Sequence, residues 1–297
     1  MVICHKIKIW SKPNTTLTMY LLLLNSLLIL IIGFNESNGR ALDSSKLQKR
    51  IISGEDAKLF QIPYVAAVTI RKDNAWYAIC TGVLVTENKV LTAAHCVEKF
   101  TASNFLIFVG VIRFYGPYSG YEQFSYVSKI DVHDGDMGSN PGLPLCDLAV
   151  LTLAVPAILT RNVQVVQLSA NSALYFNTEC TITGWGITKE GTQNIPNYLQ
   201  KGETTLISTM ECETYWPIMR EELNAGTIIC VLDKYESPSR STTICNGDSG
   251  GPLLCGPNRD VLVGIAVAKI SNCDGTWPQF YLDISRFRSW VANKLSS

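Results

Sequence analysis

The sequence predicts an all-β protein of antiparallel barrels or sandwiches that ends in one helix. Short apolar or alternating runs rich in Val, Ile, Thr and Tyr recur after residue 50, separated by Gly, Asn, Asp and Pro. This pattern is typical of antiparallel β architectures rather than of βαβ units. Phe287, Trp290, Val291 and Leu295 recur at helical spacing, which predicts a helix over Ile284–Leu295. The runs predicted as strands are Tyr64–Ile70, Ile79–Val85, Lys89–Ala93, Phe105–Val109, Leu148–Leu153, Cys180–Thr183, Gly202–Leu206, Pro252–Leu254, Val261–Val267 and Gln279–Leu282.

The N-terminal segment predicts export. Three lysines precede an apolar stretch over Met19–Ile32, which is shorter than the roughly 20 apolar residues of a membrane span. We therefore expect a signal peptide over residues 1–33, with an uncleaved signal anchor over Leu17–Phe34 as the alternative and Met19 as an alternative start. The polar residues 34–50 are interpreted as a propeptide, and residues 51–297 as the folded domain.

The cysteine content and the charge narrow the classes of function. Ten cysteines indicate an oxidising, extracellular compartment, and the absence of a Cys-x-x-Cys pair argues against a zinc site. Residues 51–297 hold 18 basic and 23 acidic residues and no basic run. A mildly acidic domain of this kind argues against nucleic acid as a partner.

Three motifs carry the residues of a hydroxyl-based acyl transfer. They are Thr-Ala-Ala-His-Cys around His95, Cys-Asp-Leu-Ala-Val around Asp147, and Gly-Asp-Ser-Gly-Gly-Pro around Ser249. Such chemistry needs a nucleophile, a base within hydrogen-bond reach and a group that orients the base. The chain order His, Asp, Ser is one of the known orders for this set.

With these motifs and Gly184-Trp-Gly186, the chain resembles the chymotrypsin/trypsin family of serine peptidases over residues 51–297. The resemblance implies two six-stranded antiparallel β barrels with the active site between them. It implies that Ser249 attacks the scissile carbonyl, that His95 transfers its proton, and that Asp147 orients His95. The backbone N–H groups of Gly247 and Ser249 would form the oxyanion hole.

The Arg50–Ile51 bond resembles the activation bond of this family. Cleavage would free the α-amino group of Ile51, which would fold inward and pair with Asp248, so a zymogen is expected. The resemblance implies protein or peptide substrates, an activating protease, protein inhibitors and a monomeric enzyme that needs no cofactor and no metal. The first acidic ligand of the family's calcium loop would fall near Val111, which cannot bind a hard cation.

Eight cysteines match disulfides of the family. The resemblance implies that they pair as Cys80–Cys96, Cys180–Cys255, Cys212–Cys230 and Cys245–Cys273, although sequence alone does not establish the pairing. Cys146 is left over beside Asp147. We favour a buried thiol there, with a bond to another chain as the alternative.

The specificity pocket departs from the pattern of trypsin. Thr243 replaces the pocket Asp that binds basic side chains, and Lys269 and Gln279 stand where glycines usually line the walls. Cleavage after Lys or Arg is therefore not expected. A small or apolar residue before the scissile bond is ranked first. An acidic residue that meets the Lys269 ammonium is ranked second.

Two further departures keep a second function open. Val267 replaces a serine that normally donates a hydrogen bond to the catalytic Asp, and Ala268 replaces an apolar wall. The alternative to an active serine endopeptidase is a weakly catalytic or non-catalytic homologue that acts as a binding protein.

Overall fold

The regular structure of the described chain consists mainly of short antiparallel strands. The computed structural model describes residues 54–72, 75–114, 119–134, 145–187, 196–234, 242–268, 273 and 275–296, so the predicted signal peptide, propeptide and activation bond lie outside it. No helix in the described part is long and apolar enough to cross a bilayer. In chain order the strands are β1 (Glu55–Asp56), β2 (Val65–Lys72), β3 (Ala75–Thr86), β4 (Lys89–Thr92), β5 (Phe105–Val109), β6 (Gln123–Val132), β7 (Ala149–Leu153), β8 (Gln167–Leu168), β9 (Glu179–Gly184), β10 (Gln200–Ile207), β11 (Ile228–Leu232), β12 (Pro252–Cys255), β13 (Val261–Ala268) and β14 (Gln279–Asp283), and the helices are α1 (Thr209–Tyr215), α2 (Arg220–Asn224) and α3 (Ile284–Leu295).

The first half of the domain is a closed barrel with strand order β2-β3-β4-β7-β6-β5. Its inward-facing side chains are aliphatic, and Val68, Val83, Leu91 and Leu151 are fully buried. Closing the sheet removes exposed strand edges, which suits a protein made of many short strands.

The second half is a closed ring of six strands in the order β9-β10-β11-β14-β13-β12, sealed by pairing of β12 with β9. The short strands β1 and β8 add to β10 and β13. Two six-stranded antiparallel barrels are therefore present, as the fold prediction stated. The predicted C-terminal helix is confirmed as α3, which begins at the cap residue Asp283 and buries Phe287 and Val291.

The two barrels meet through apolar packing and backbone hydrogen bonds. Trp185 and Leu199 from the second half pack with Val65 in β2. The backbone N–H of Thr81 in β3 donates to the carbonyl oxygen of Ser249 at 2.9 Å. This junction positions the residues of the candidate active site.

Candidate active site

His95 projects from a short turn that is anchored on both sides. Strand β4 delivers the chain to a 3-10 turn over Ala94–Cys96, where Ala94 is fully buried. Cys96 is bound to Cys80 in β3. The His95 side chain itself is 38% exposed. The anchored neighbours therefore hold an imidazole that still opens to solvent.

Asp147 lies beside His95 because of strand pairing. It precedes β7, which pairs with β4 so that Ala149 lies opposite Thr92. Its carboxylate, 1% exposed, accepts the backbone N–H of His95 on Oδ1 at 2.7 Å. Oδ2 lies 2.5 Å from His95 Nδ1. His95 thus contacts both oxygens of the Asp147 carboxylate. The backbone N–H of His95 donates a hydrogen bond to Asp147, whereas the side chain of Val267 has no donor to offer.

The electrostatics of His95 follow from this contact. Burial of the ring lowers the pKa of His95, but the hydrogen bond and the negative charge of Asp147 outweigh it, so the pKa is raised above its ordinary value of 6.5. Glu98 raises it further and Lys99 lowers it. Since Asp147 engages Nδ1, Nε2 is left as the ring nitrogen that can exchange a proton.

Ser249 reaches the same place from the second barrel. It lies in the turn before β12, and its carbonyl oxygen is 3.9 Å from Cys96 Sγ. The Nε2 atom of His95 is 3.8 Å from that sulfur. The disulfide of Cys80 and Cys96 therefore brings the imidazole and the serine segment together across the junction.

Two glycines shape the turn that holds Ser249. Gly247 has φ +100° and Gly250 has φ +79°, values that favour glycine. A Cβ on Gly250 would also lie 2.2 Å from the carbonyl oxygen of Thr81. Within the described residues, the N–H groups of Gly247 and Ser249 donate to no protein acceptor. Two adjacent backbone donors are therefore available to an oxyanion.

Asp248 points away from Ser249 into the protein. It is 1% exposed and accepts the N–H groups of Cys245 and Gly186, each at 2.8 Å. Burial raises the pKa of Asp248 to about 6, although both donors lower it. No described cation lies within ion-pair distance of it. Ile51, whose α-amino group is its expected partner, and Arg50, which precedes the expected cleavage, lie outside the described residues.

Two of the three predicted pocket residues are described. Thr243 is fully buried, and its hydroxyl donates to the carbonyl of Ile244 at 3.3 Å. Gln279 begins β14 and is 4% exposed; its amide donates to the carbonyl of Trp277 at 3.0 Å. Its Oε1 is buried and accepts no hydrogen bond from any residue that the structure describes. Lys269 lies outside the described residues.

The cysteines pair as the resemblance implied. Disulfides join Cys80–Cys96, Cys180–Cys255, Cys212–Cys230 and Cys245–Cys273. Cys146 is also disulfide-bonded, to a partner outside the described residues. The favoured buried thiol is therefore wrong, because that prediction counted only the odd number of cysteines after residue 50.

The described residues bring one group of three metal-ligating side chains together: Cys80, His95 and Cys96. Two of these sulfurs are bonded to each other and cannot act as thiolate ligands. The group is therefore part of the candidate active site and does not form a metal centre.

Comparison with known proteins agrees with this geometry. Residues 51–291 match the family model Trypsin. The chain belongs to the trypsin family. It is 31% identical over 253 residues to a chymotrypsin-like serine proteinase of Haliotis rufescens, covering 83% of this chain and 92% of the relative. It is 29% identical over 261 residues to chymotrypsin-like elastase family member 1 of Canis lupus familiaris, covering 86% and 96%.

Two solved structures share this fold. Mouse neuropsin, a serine protease, superposes with a TM-score of 0.66 at 28% identity, covering 82% of this chain and 98% of that one. Human heparin binding protein shares the fold with a TM-score of 0.66 at 24% identity, covering 82% and 96%. The family model and the relatives named serine proteinase and elastase make this trypsin-family chain an enzyme of the serine endopeptidase class.

Sequence reasoning missed one residue at this site of the trypsin-family fold. Besides its N–H bond to Ser249, Thr81 donates its hydroxyl to the carbonyl of Gly247 at 3.1 Å. Its own carbonyl accepts the hydroxyl of Thr92 at 2.8 Å. The available signal was its place next to Cys80, whose disulfide partner follows His95. Thr81 therefore links the turn that holds Ser249 to β4, the strand that leads to His95.

Proposed function

We propose that this protein hydrolyses peptide bonds through an acyl-enzyme formed on Ser249. The supporting observation is the 2.5 Å contact between His95 Nδ1 and Asp147, which leaves Nε2 free of Asp147 and 3.8 Å from Cys96 Sγ, the sulfur next to the Ser249 backbone. The Ser249 hydroxyl attacks the scissile carbonyl while Nε2 takes its proton. The oxyanion is held by the N–H groups of Gly247 and Ser249. His95 then protonates the leaving amine, and water releases the acyl group by the same route.

A fluorophosphonate probe tests this proposal directly, because it reacts only with an activated serine. Activated protein should form one covalent adduct on Ser249, detected by peptide mass spectrometry. The Ser249→Ala variant should form none, and His95→Ala should be labelled at least about 10³-fold more slowly. An unlabelled, correctly activated wild-type protein would favour the alternative of a binding protein on the same scaffold.

Activation is proposed at Arg50–Ile51, after export directed by residues 1–33 and with residues 34–50 as the propeptide. Asp248 supports this proposal, since it is a buried carboxylate with two N–H donors. An ammonium group arriving there would compensate a charge that burial disfavours. The released Ile51 amino group would supply it. The partners are then an activating protease, extracellular protein substrates and protein inhibitors, with the enzyme acting as a monomer.

The proposed specificity is for a small or apolar residue before the scissile bond, with an acidic residue second. Thr243 offers no charge to a basic side chain, and Gln279 occupies a buried position at the start of β14. The relatives named chymotrypsin-like and elastase are compatible with this order. Lys269 is the residue that would favour an acidic substrate.

A peptide-library cleavage profile, read by mass spectrometry, tests this order. Wild-type enzyme should cleave after Ala or Val faster than after Lys or Arg. Gln279→Gly should raise kcat/KM for Phe relative to Ala by about tenfold or more, since removing side-chain volume admits a ring. Gln279→Asn, which keeps the amide, should change the ratio less. Equal cleavage profiles for the wild type and both variants would contradict a role of Gln279 in the specificity pocket.

A further inference from the structure

An open cavity of about 570 Å³ lies on the outer face of the first barrel, away from the residues assigned to catalysis. Paired positions of β2 and β3, Thr69 and Ala78, line it. Aromatic rings form its walls. The rings belong to Trp76, Tyr77, Phe108, Phe114 and Phe124. A concave, ring-lined site of this size fits one or two large side chains of a ligand.

The side-chain pattern of β6 is inverted beside this cavity. Phe124 and Tyr126 are 66% and 53% exposed, whereas Ser125 and Val127 point inward and are buried. Tyr77 is 46% exposed on the neighbouring rim. A continuous aromatic surface of this kind marks an interaction site, since leaving it in water costs about 25 cal/mol for each Å².

The rings leave room for an additional ring. Phe108 packs against Phe114 at 90° and 6.5 Å and against Phe124 at 5.9 Å, while Trp76 packs against Tyr126 at 6.0 Å. The cavity therefore offers ring faces and ring edges, the two surfaces that an inserted aromatic side chain would contact.

The charged groups at the cavity have protein partners. Glu122 accepts the N–H and hydroxyl of Ser119 and the N–H of Gly120, at 2.8 to 2.9 Å. Arg113 donates to the hydroxyl of Tyr198 at 3.4 Å. Because both charged groups already have hydrogen-bond partners and five aromatic rings line the cavity, an apolar ligand suits it better than a charged one.

Strand β3 connects the cavity to the catalytic turn. Thr81 contacts Ser249, and Ala78, Tyr77 and Trp76 at the cavity lie three to five residues back along the same strand. At about 3.3 Å per residue, the cavity begins roughly 10 Å from the contact with Ser249. The cavity residues of β3 thus lie roughly 10 to 17 Å from that contact, a distance that an extended substrate covers with about three to five residues.

The proposed catalytic steps indicate which part of the substrate, the one before or the one after the scissile bond, runs along β3 toward the cavity. His95 Nε2 delivers the proton to the leaving amine, and it faces the Cys80–Cys96 disulfide at the catalytic end of this part of β3. In the specificity proposed above, the acyl side is the one that meets Thr243 and Gln279, which are buried in the second barrel. The segment that runs toward the cavity is therefore the one after the scissile bond.

We propose that this cavity is a specificity subsite for a large aromatic or aliphatic side chain about three to five residues after the scissile bond. The proposal rests on the peptidase function proposed above. It names extended proteins with such a residue as the preferred substrate class.

Two quenched fluorescent peptides test the subsite. They share every residue except the fourth after the scissile bond, which is Phe in one and Ser in the other. Wild-type enzyme should cleave the Phe peptide with a kcat/KM about tenfold higher. Phe124→Ser and Ala78→Trp, which remove a wall and fill the cavity, should bring the ratio close to one.

The controls separate the cavity from the catalytic machinery. Leu174→Ser removes a side chain that is 72% exposed in a different turn, and it should keep the wild-type ratio. A short substrate that ends at the leaving group should be cleaved equally by all four enzymes. Two results would contradict the proposed subsite. One is a wild-type Phe-to-Ser ratio of kcat/KM in both cavity variants, and the other is a loss of kcat/KM on the short substrate as large as that on the Phe peptide.

A binding measurement tests the subsite without turnover. Ser249→Ala protein is titrated with the peptide of the leaving-group side, carrying Phe or Ser at the fourth position. A tenfold preference for Phe that Phe124→Ser abolishes supports the subsite even if short substrates are not cleaved and the peptidase proposal fails. Equal affinities overturn it. So does a shift from dimer to monomer in Phe124→Ser without any peptide effect, which would assign the surface to self-association.

Discussion

At the scale of single residues, the protonation of His95 links the geometry to activity. The imidazole accepts the Ser249 proton only when it is neutral, and Asp147 favours the charged form through a hydrogen bond and its negative charge. Because these effects outweigh burial, we expect kcat/KM to rise with pH through a pKa above 6.5 and then level off.

Asp147→Asn tests this link. Removing the negative charge lowers the pKa of His95, so the rising limb of kcat/KM should move to lower pH. The maximal rate should fall by about 10⁴-fold, because the amide no longer holds the correct tautomer. The measurement is kcat/KM on a short uncharged substrate between pH 4.5 and 9.

Glu98→Gln is the matched control, since it removes an exposed carboxylate that raises the pKa of His95 less than Asp147 does. It should move the limb slightly and leave the maximal rate near that of the wild type. If Glu98→Gln moved the limb as far as Asp147→Asn does, the special role of the buried carboxylate would be contradicted.

At the scale of elements, the strands that sequence reasoning found are those whose buried side chains form an apolar pattern. Strand β6 was not predicted, because its aromatic side chains face outward and its inward-facing side chains include Ser125. Strand β11, the apolar run Ile228–Leu232, was also not predicted, although it is buried on every residue like β12, which was. Helices α1 and α2, with seven and five residues, are too short to give a periodic signal.

The residues of the candidate site also fall into two groups, those that the sequence reveals and those that become visible only in the fold. Local motifs were sufficient to name His95, Asp147 and Ser249 as candidates, and the family resemblance added the roles of Gly247 and Asp248. The contact of Thr81 with Ser249 and the ring-lined cavity join strands far apart in the sequence. Such features follow from barrel closure and register, which side-chain periodicity does not encode.

At the scale of the whole molecule, the residues proposed for catalysis lie together with Asp248, the carboxylate proposed for activation, at the junction of the two barrels. His95 and Asp147 come from the first barrel, and Ser249 and its backbone donors from the second. Asp248 lies between these donors in sequence and is buried on the other side of the turn. A change in its charge balance therefore acts on the turn that presents both the nucleophile and the oxyanion donors.

This arrangement predicts a stability difference between the precursor and the activated enzyme. In the Arg50→Gln precursor, which cannot be cleaved, Asp248 keeps a pKa of about 6 against 3.8 as its ordinary value. Between these values the folded precursor holds a proton that the unfolded chain has released, so raising the pH favours unfolding. The loss reaches at most about 3 kcal/mol by pH 7. In the activated enzyme the Ile51 ammonium stabilises the carboxylate, and this loss should disappear.

Urea unfolding followed by circular dichroism between pH 3.5 and 7.5 measures the difference. Arg50→Gln is compared with the double variant Arg50→Gln, Asp248→Asn, in which every other titrating group is the same. The free energy of unfolding of the single variant should fall relative to the double variant as the pH rises from about 4 to about 6. Activated wild-type enzyme should show no such fall. Parallel curves for the two precursors would mean that Asp248 carries no uncompensated charge, and the physical basis of the proposed activation switch would be lost.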